Sequence, residues 1–195
     1  YTDWGNYYPH WTLRNLWQLS EYVPPEKFQI EFLNNTRNLH KYDENDPLRP
    51  SVVPFDYIFA TTLAAQPLAW MEASGLPEES FGINPLVESY KKVMGKFHEG
   101  YILPIGHVPD GCSWTGFQSI TDYRSGYFLI YRENNDSGSA LIQTLLPGGQ
   151  DVRLEKILGY GDSFEFVTGD SGEIAFRLPR KFSFGFFRYE IEPDK

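Results

Sequence analysis

Cysteine is almost missing from this sequence. The 195 residues hold one, Cys112, so no internal disulfide can form, and no companion Cys or His stands at metal-ligand spacing from it. It is expected as a small, buried or half-buried residue. The four histidines, His10, His40, His98 and His107, show no metal spacing either, so neither a metal nor a cofactor is expected. Basic charge is scarce as well. Lys plus Arg number 17 against 26 Asp plus Glu, a net charge of −9. A phosphate backbone is repelled by that average, and the densest basic stretch, residues 177–181, holds only Arg177, Arg180 and Lys181, which argues against nucleic acid as a partner. No apolar run approaches the ~20 residues that cross a bilayer, so no membrane partner is expected. The chain opens at Tyr1 with neither a methionine nor a signal peptide. A soluble protein is expected, and cytoplasmic and secreted or periplasmic settings both stay open.

What is abundant is aromatic surface. Aromatics make up 17% of the residues, with 15 Phe, 13 Tyr and 5 Trp. Large flat rings suit the core of a β-sandwich and equally the platforms on which sugar rings stack. Composition does not choose between them. The apolar content of 41% and charged content of 22% are ordinary for a globular chain of this length.

The pattern changes character near Gly100. Before it, helix-like and strand-like segments alternate. Residues 10–22 read as a helix, with Leu13, Leu16, Trp17 and Leu19 three and four apart, and Pro24-Pro25 stops it. Residues 28–33 read as a strand with Phe28, Ile30 and Phe32 on one face. A polar loop of residues 34–54 follows; loops of that size inside compact domains tend to be functional. Residues 55–65 then read as a helix, 67–73 as a strand and 85–99 as a helix with Leu86, Tyr90, Val93 and Phe97 in its stripe. Alternation of this kind implies parallel strands. Two or three such strands leave open edges, and a complete (β/α)8 barrel needs about 250 residues. Residues 1–100 are therefore expected to be the carboxy-terminal portion of a TIM-type barrel.

From residue 101 onward, short strands are divided by turns rich in Gly, Asn and Asp, as at residues 134–138, 148–149 and 169–172. Residues 101–195 are expected to form an antiparallel β-sandwich. Phe182, Phe184 and Phe186 alternate, then Phe187, Tyr189 and Ile191 do, which predicts a bulge at residues 186–187. Trp114 is expected in the sandwich core.

The strongest polar constellation follows the strand at residues 28–33. Glu31, Asn34, Asn35 and Arg37 stand where barrel sites gather, at the C-terminal end of a strand. Amides and a guanidinium there have the donors and acceptors that sugar hydroxyls need. Asp43, Glu44 and Asp46 in the same loop read as solvated charges or turn formers. Asn34-Asn35-Thr36 and Asn135-Asp136-Ser137 fit the glycosylation sequon, a triplet common by chance.

Two segments resemble a known family. Residues 68–101, LAWMEASGLPEESFGINPLVESYKKVMGKFHEGY, are similar to the end of the catalytic barrel in the α-galactosidases of glycoside hydrolase family 36 and their clan. The residues that carry the likeness are Trp70, Glu72, Leu76, Glu78, Glu79, Tyr90, Lys91 and Gly100. The opening, YTDWGNYYPHWTLRNLWQLS, resembles the end of the sixth barrel strand with its following helix. The resemblance implies that Asp3 is the catalytic acid/base, with Trp4 beside it and Arg14 on the helix. The family's Trp-x-Ser-Asp is not reproduced, since Tyr1-Thr2 precede Asp3. The clan's nucleophile aspartate lies on the fourth strand, upstream of this chain.

The resemblance implies a retaining α-glycosidase acting on terminal α-linked sugars. Such an enzyme uses two carboxylates about 5 Å apart. The resemblance adds catalytic Asp3, with Trp4 beside it, to Glu31, Asn34, Asn35 and Arg37, which the loop pattern offers as sugar-binding residues; Glu72 is read as a structural ion-pair member. The implied partners are a carbohydrate substrate and the upstream barrel residues of a parent chain; a homo-oligomer stays open. These 195 residues alone are expected to be inactive. The rival reading is a non-catalytic carbohydrate-binding β-sandwich module. The helix–strand alternation before Gly100, which such a module does not need, speaks against it.

Overall fold

The computed structural model of this chain describes residues 7–69 and 75–193. Asp3, Trp4, Trp70 and Glu72 lie outside these residues. Helix α1 (Pro9–Leu19) opens on a proline, whose fixed φ suits a first turn and whose missing N–H is no loss there. It buries Leu13, Leu16 and Trp17. Leu19, expected in that stripe, is exposed because the helix ends there.

Strands β1 (Gln29–Phe32) and β2 (Gln66–Ala69) pair in parallel, from Gln29 opposite Gln66 to Phe32 opposite Ala69. Helix α2 (Phe55–Ala60) lies on the crossover between them. Phe32 meets Phe55 and Phe59 edge to face, with ring centroids 6.3 and 5.3 Å apart. The helix is shorter than its expected span. The hydroxyls of Thr61 and Thr62 donate to the carbonyls of Ile58 and Phe59, and turns follow. Helix α3 (Asn84–Glu99) buries Tyr90 and Phe97, with Leu86 and Val93 half-buried beside them.

At Gly100 the chain passes from α3 into β3 (Tyr101–Gly106). A Cβ there would collide with Ser119 Oγ and lie 2.9 Å from the Ile120 carbonyl oxygen. Only glycine lets the backbone approach so closely. Six antiparallel strands then build the main sheet in the order β3-β4-β5-β10-β7-β8. The further members are β4 (Trp114–Ile120), β5 (Ser125–Arg132), β7 (Asp151–Gly159), β8 (Phe164–Val167) and β10 (Ser183–Ile191). Strands β6 (Ser139–Gln143) and β9 (Glu173–Arg177) pair with each other in a second, two-stranded layer.

The main sheet is covered on both faces. On one side Leu129, Tyr131, Phe184 and Phe186 join the core of the helices; on the other Phe128, Ile130, Phe187 and Tyr189 pack with Ile142, Ile174 and Phe176 of the small layer. Burial on both faces explains the unbroken apolar run of β5. Trp114 is buried in the second core and donates its Nε1 hydrogen to Ser137 O at 3.2 Å. The register between β10 and β7 shifts at Phe186/Phe187, with Ile157 as the unpaired residue, whereas β10 runs in even register with β5. The bulge therefore sits on β7.

Cys112 corrects an expectation: it is exposed. Its backbone is tied down, the N–H to Asp110 Oδ1 and the carbonyl to Asn135 Nδ2, which leaves the thiol outside the turn.

Several contacts join the helices to the sheet. Tyr131 donates to Ala60 O at 2.7 Å, Trp17 Nε1 to Ile105 O at 3.2 Å, and Phe186 stands between Phe97 and Tyr127 with centroids at 5.0 and 5.5 Å. Asp56, on α2, accepts from Tyr160 at 2.7 Å and from Arg180, which also lies over the Tyr160 ring. His98 closes the far end. Gln66 Nε2 donates to its Nδ1, so Nε2 carries the proton and faces Leu63 O and the Tyr90 hydroxyl.

Two predictions follow from this packing. Phe186→Ala should cost about 3–5 kcal/mol, and urea unfolding should show the helical and sheet parts failing in one transition. Burial holds the His98 imidazole below its ordinary 6.5. Its contribution is then complete above that pH and declines as pH falls below it, because the unfolded chain takes up the proton first. His98→Gln should flatten the acid side of the stability–pH curve measured by thermal unfolding.

Candidate functional site

The residues singled out after β1 gather at the C-terminal edge of the parallel pair. Asn34 Oδ1 accepts from Thr36 N at 2.9 Å and Thr36 Oγ1 at 2.7 Å, and its Nδ2 donates to Gly75 O at 3.1 Å. Asn35 is 2% exposed; its Nδ2 donates to Val53 O at 3.1 Å and Glu79 Oε1 at 3.2 Å. The side-chain oxygen of Asn35 is buried without a partner among the described residues. Both amides thus stitch the loop after β1 to the chain that follows β2. Arg37 is different. It is half-buried, and its guanidinium makes no hydrogen bond or ion pair among the described residues. Glu31 is half-buried within β1 and adds to the field on Tyr7.

The long loop folds back onto the entry of α1. Tyr42 accepts from Tyr7 N–H at 2.8 Å and donates to Tyr7 O at 3.1 Å. Tyr8 donates to Asp46 Oδ2 at 2.7 Å, and Asp46 Oδ1 accepts from Leu48 N–H at 2.8 Å. Asp46 therefore forms a turn and also holds Tyr8. Burial and this carboxylate push the Tyr8 hydroxyl up to about 12. His10 is pulled down to about 4, by burial first and then by Arg14, with Asp46 and Asp110 opposing. Nothing in the sequence pairs Tyr7 with Tyr42 or Tyr8 with Asp46.

A second group has no signal in the sequence. Glu133, at the end of β5, has no exposed surface, and its Oε2 accepts from the N–H groups of Asp110, Gly111 and Ser113 at 3.0, 2.9 and 3.0 Å. Its Oε1 is buried and lacks a partner among the described residues, as does the hydroxyl of Tyr57, which feels the Glu133 charge. Burial raises Glu133 to about 7 despite the three N–H donors. The loop that Glu133 holds reaches the other loop: a Cβ on Gly111, at φ +95°, would lie 2.5 Å from Leu48 Cδ1. Only its place in the fold sets Glu133 apart from a strand-end charge.

Chemically, the C-terminal edge offers a guanidinium and a buried amide oxygen that have no partner among the described residues, and a rim of tyrosines and carboxylates. That set suits a neutral polar ligand, and no cluster of His, Cys, Asp and Glu among the described residues is placed to hold a metal ion. A carboxyl raised in the folded state stabilises fully below its unfolded pKa and loses that contribution as pH rises through the folded value. Glu133 should therefore remove up to about 3 kcal/mol between pH 4.5 and 7. Glu133→Gln, which keeps an acceptor for the three N–H groups, should abolish that decline in chemical denaturation across the pH range.

No protein-family model matches the sequence, and no curated protein matches it. Solved structures do. The galactosidase domain of an alpha-galactosidase-sucrose kinase, AgaSK, is 11% identical, with a TM-score of 0.61 over 92% of this chain. A variant of the GH36 alpha-galactosidase AgaA from Geobacillus stearothermophilus, in complex with raffinose, is 14% identical, with a TM-score of 0.61 over 94% of this chain. The chain spans about a quarter of their length, 25% and 24%. No described helix is long and apolar enough to cross a membrane. In fold, nearly the whole of this chain is similar to part of the α-galactosidases of glycoside hydrolase family 36.

Proposed function

We propose that the chain belongs to a retaining α-glycosidase of the α-galactosidase kind, which hydrolyses terminal α-linked sugars. In this reading residues 1–100 are the last portion of its catalytic barrel and residues 101–195 its β-sandwich domain. The observation that carries the reading is the parallel β1–β2 pair, with Asn34, Asn35 and Arg37 at its C-terminal edge, within a fold shared with family 36 enzymes. Barrel enzymes work at that edge. The sheet supports it from behind through Tyr131, Trp17 and Asp56.

Asp3 is assigned as acid/base, protonating the leaving oxygen and later activating water, while the nucleophile comes from a part of the parent chain upstream. Trp4, next to Asp3 in sequence, is assigned to sugar binding, where an aromatic ring offers a stacking face. Arg37 donates to sugar hydroxyls, and Glu31 accepts from them. Asn34 and Asn35 have spent most of their hydrogen-bonding capacity on the loop, so their part is to hold Arg37 in place. The relative solved with raffinose makes an α-galactosyl oligosaccharide the first substrate to try.

Full-length protein should cleave an aryl α-galactoside in a panel of aryl α-glycosides. Asp3→Ala should lower the rate by about 10²–10⁴-fold. Cleavage of no α-glycoside would overturn the enzymatic reading, and cleavage untouched by Asp3→Ala would discard Asp3 alone. The 195 residues by themselves should be inactive.

A further inference from the structure

The first two turns of α1 carry a group of side chains that the proposed chemistry does not use. Tyr8 is the hub of four half-buried rings, with centroids 4.7 Å from Trp11, 5.3 Å from His10 and 5.4 Å from Tyr42. Core rings in this protein are closed off; these keep surface. The Tyr8 and Tyr42 hydroxyls are engaged by Asp46 and the Tyr7 backbone, but other polar atoms of the group have no partner among the described residues. Trp17 and Trp114 both donate their indole hydrogens to carbonyls. Trp11 donates none among the described residues, and neither the His10 ring nor the Arg14 guanidinium makes a hydrogen bond or ion pair there. Two carboxylates complete the rim. Asp46 holds the Tyr8 hydroxyl, and Asp110 adjoins Gly111, which packs on Leu48 of the Asp46 loop; among the described residues Asp110 accepts only at Oδ1, from Cys112 N–H and Ser113 Oγ–H.

We propose that Tyr8, Trp11, His10, Arg14, Asp46 and Asp110 form a binding patch for a neutral sugar unit of an oligosaccharide. The mixture of signs selects the ligand. An anion would face Asp46 and Asp110, and a cation would face Arg14. An apolar peptide would leave the idle donors desolvated without partners, which costs free energy. A pyranose offers C–H faces for the rings together with hydroxyls that both donate and accept. Near neutral pH the His10 ring is uncharged and presents one donor and one acceptor. The choice of an α-galactosyl oligosaccharide as ligand rests on the proposed function, but the affinity for neutral sugar does not.

Calorimetric titration of the full-length protein with a sulfur-linked α-galactosyl disaccharide, which binds without being cleaved, provides the test, with digalacturonate as the anionic counterpart. The neutral sugar should bind more tightly. Trp11→Ala should weaken it by about threefold to tenfold, while Trp11→Phe, which keeps a ring, should retain most of the affinity. Arg14→Ala provides a second reading should Trp11→Ala fail to fold, and should also weaken binding. Affinities unchanged in both alanine variants, or tighter binding of digalacturonate, would overturn the patch. Sugar binding that depends on Trp11 in a protein that cleaves no α-glycoside would keep the patch and remove the glycosidase reading. Hydrolysis with binding indifferent to Trp11 and Arg14 would do the reverse.

Discussion

The structure depends on one constraint: the six-stranded sheet has no dry face and wet face in its middle, only two dry ones. Strand β5 sends Leu129 and Tyr131 into the helical core and Phe128 and Ile130 into the core beneath β6 and β9. A strand in that position cannot carry a polar side chain unless the backbone nearby satisfies it. The two charged residues that close the strand obey this rule in opposite senses. Arg132 donates to the carbonyls of Asn135, Asp136 and Leu178, and Glu133 accepts from three N–H groups. Neighbours of opposite charge are thus both engaged by main chain, Glu133 through Oε2 alone among the described residues, and fix the loops around the end of β5.

From those loops the constraint reaches the candidate site by contact. Glu133 holds the segment around Gly111, Gly111 rests on Leu48, and the loop bearing Leu48 grips the entry of α1 through Tyr42 and Asp46. On the other side Asn34 and Asn35 bind that loop to Gly75, Val53 and Glu79. The C-terminal edge of the parallel pair is therefore built of loops, but loops whose backbone groups and amides are engaged at several points. A rigid frame that presents a few uncommitted groups is what a binding surface requires.

Much of this was legible locally. The apolar spacing around Leu13 and Leu16, the run in β5 and the turn signals each report a pattern within a dozen residues. Loop chemistry was less legible. Asn34, Asn35 and Arg37 read alike as polar residues after a strand, yet the structure commits the two amides and, among the described residues, leaves the guanidinium without a partner. Apart from the local turn that Asn34 makes with Thr36, the residues their side chains meet stand eighteen to forty-four positions away, as Val53 and Glu79 do from Asn35. No local pattern carries that information.

The sequence by itself determined the kinds of element, the change from alternating helix and strand to antiparallel strand around Gly100, and the likeness to family 36, because these are written in spacing, turn residues and short motifs. Tertiary structure decided that Cys112 faces outward, that the small layer has two strands, that Glu133 is buried at the end of β5, and that the Tyr8 ring lies against Trp11 while its hydroxyl meets Asp46. Periodicity fixes which side of an element is apolar. What covers that side, and which polar groups are left over, is settled only when elements distant in sequence pack together.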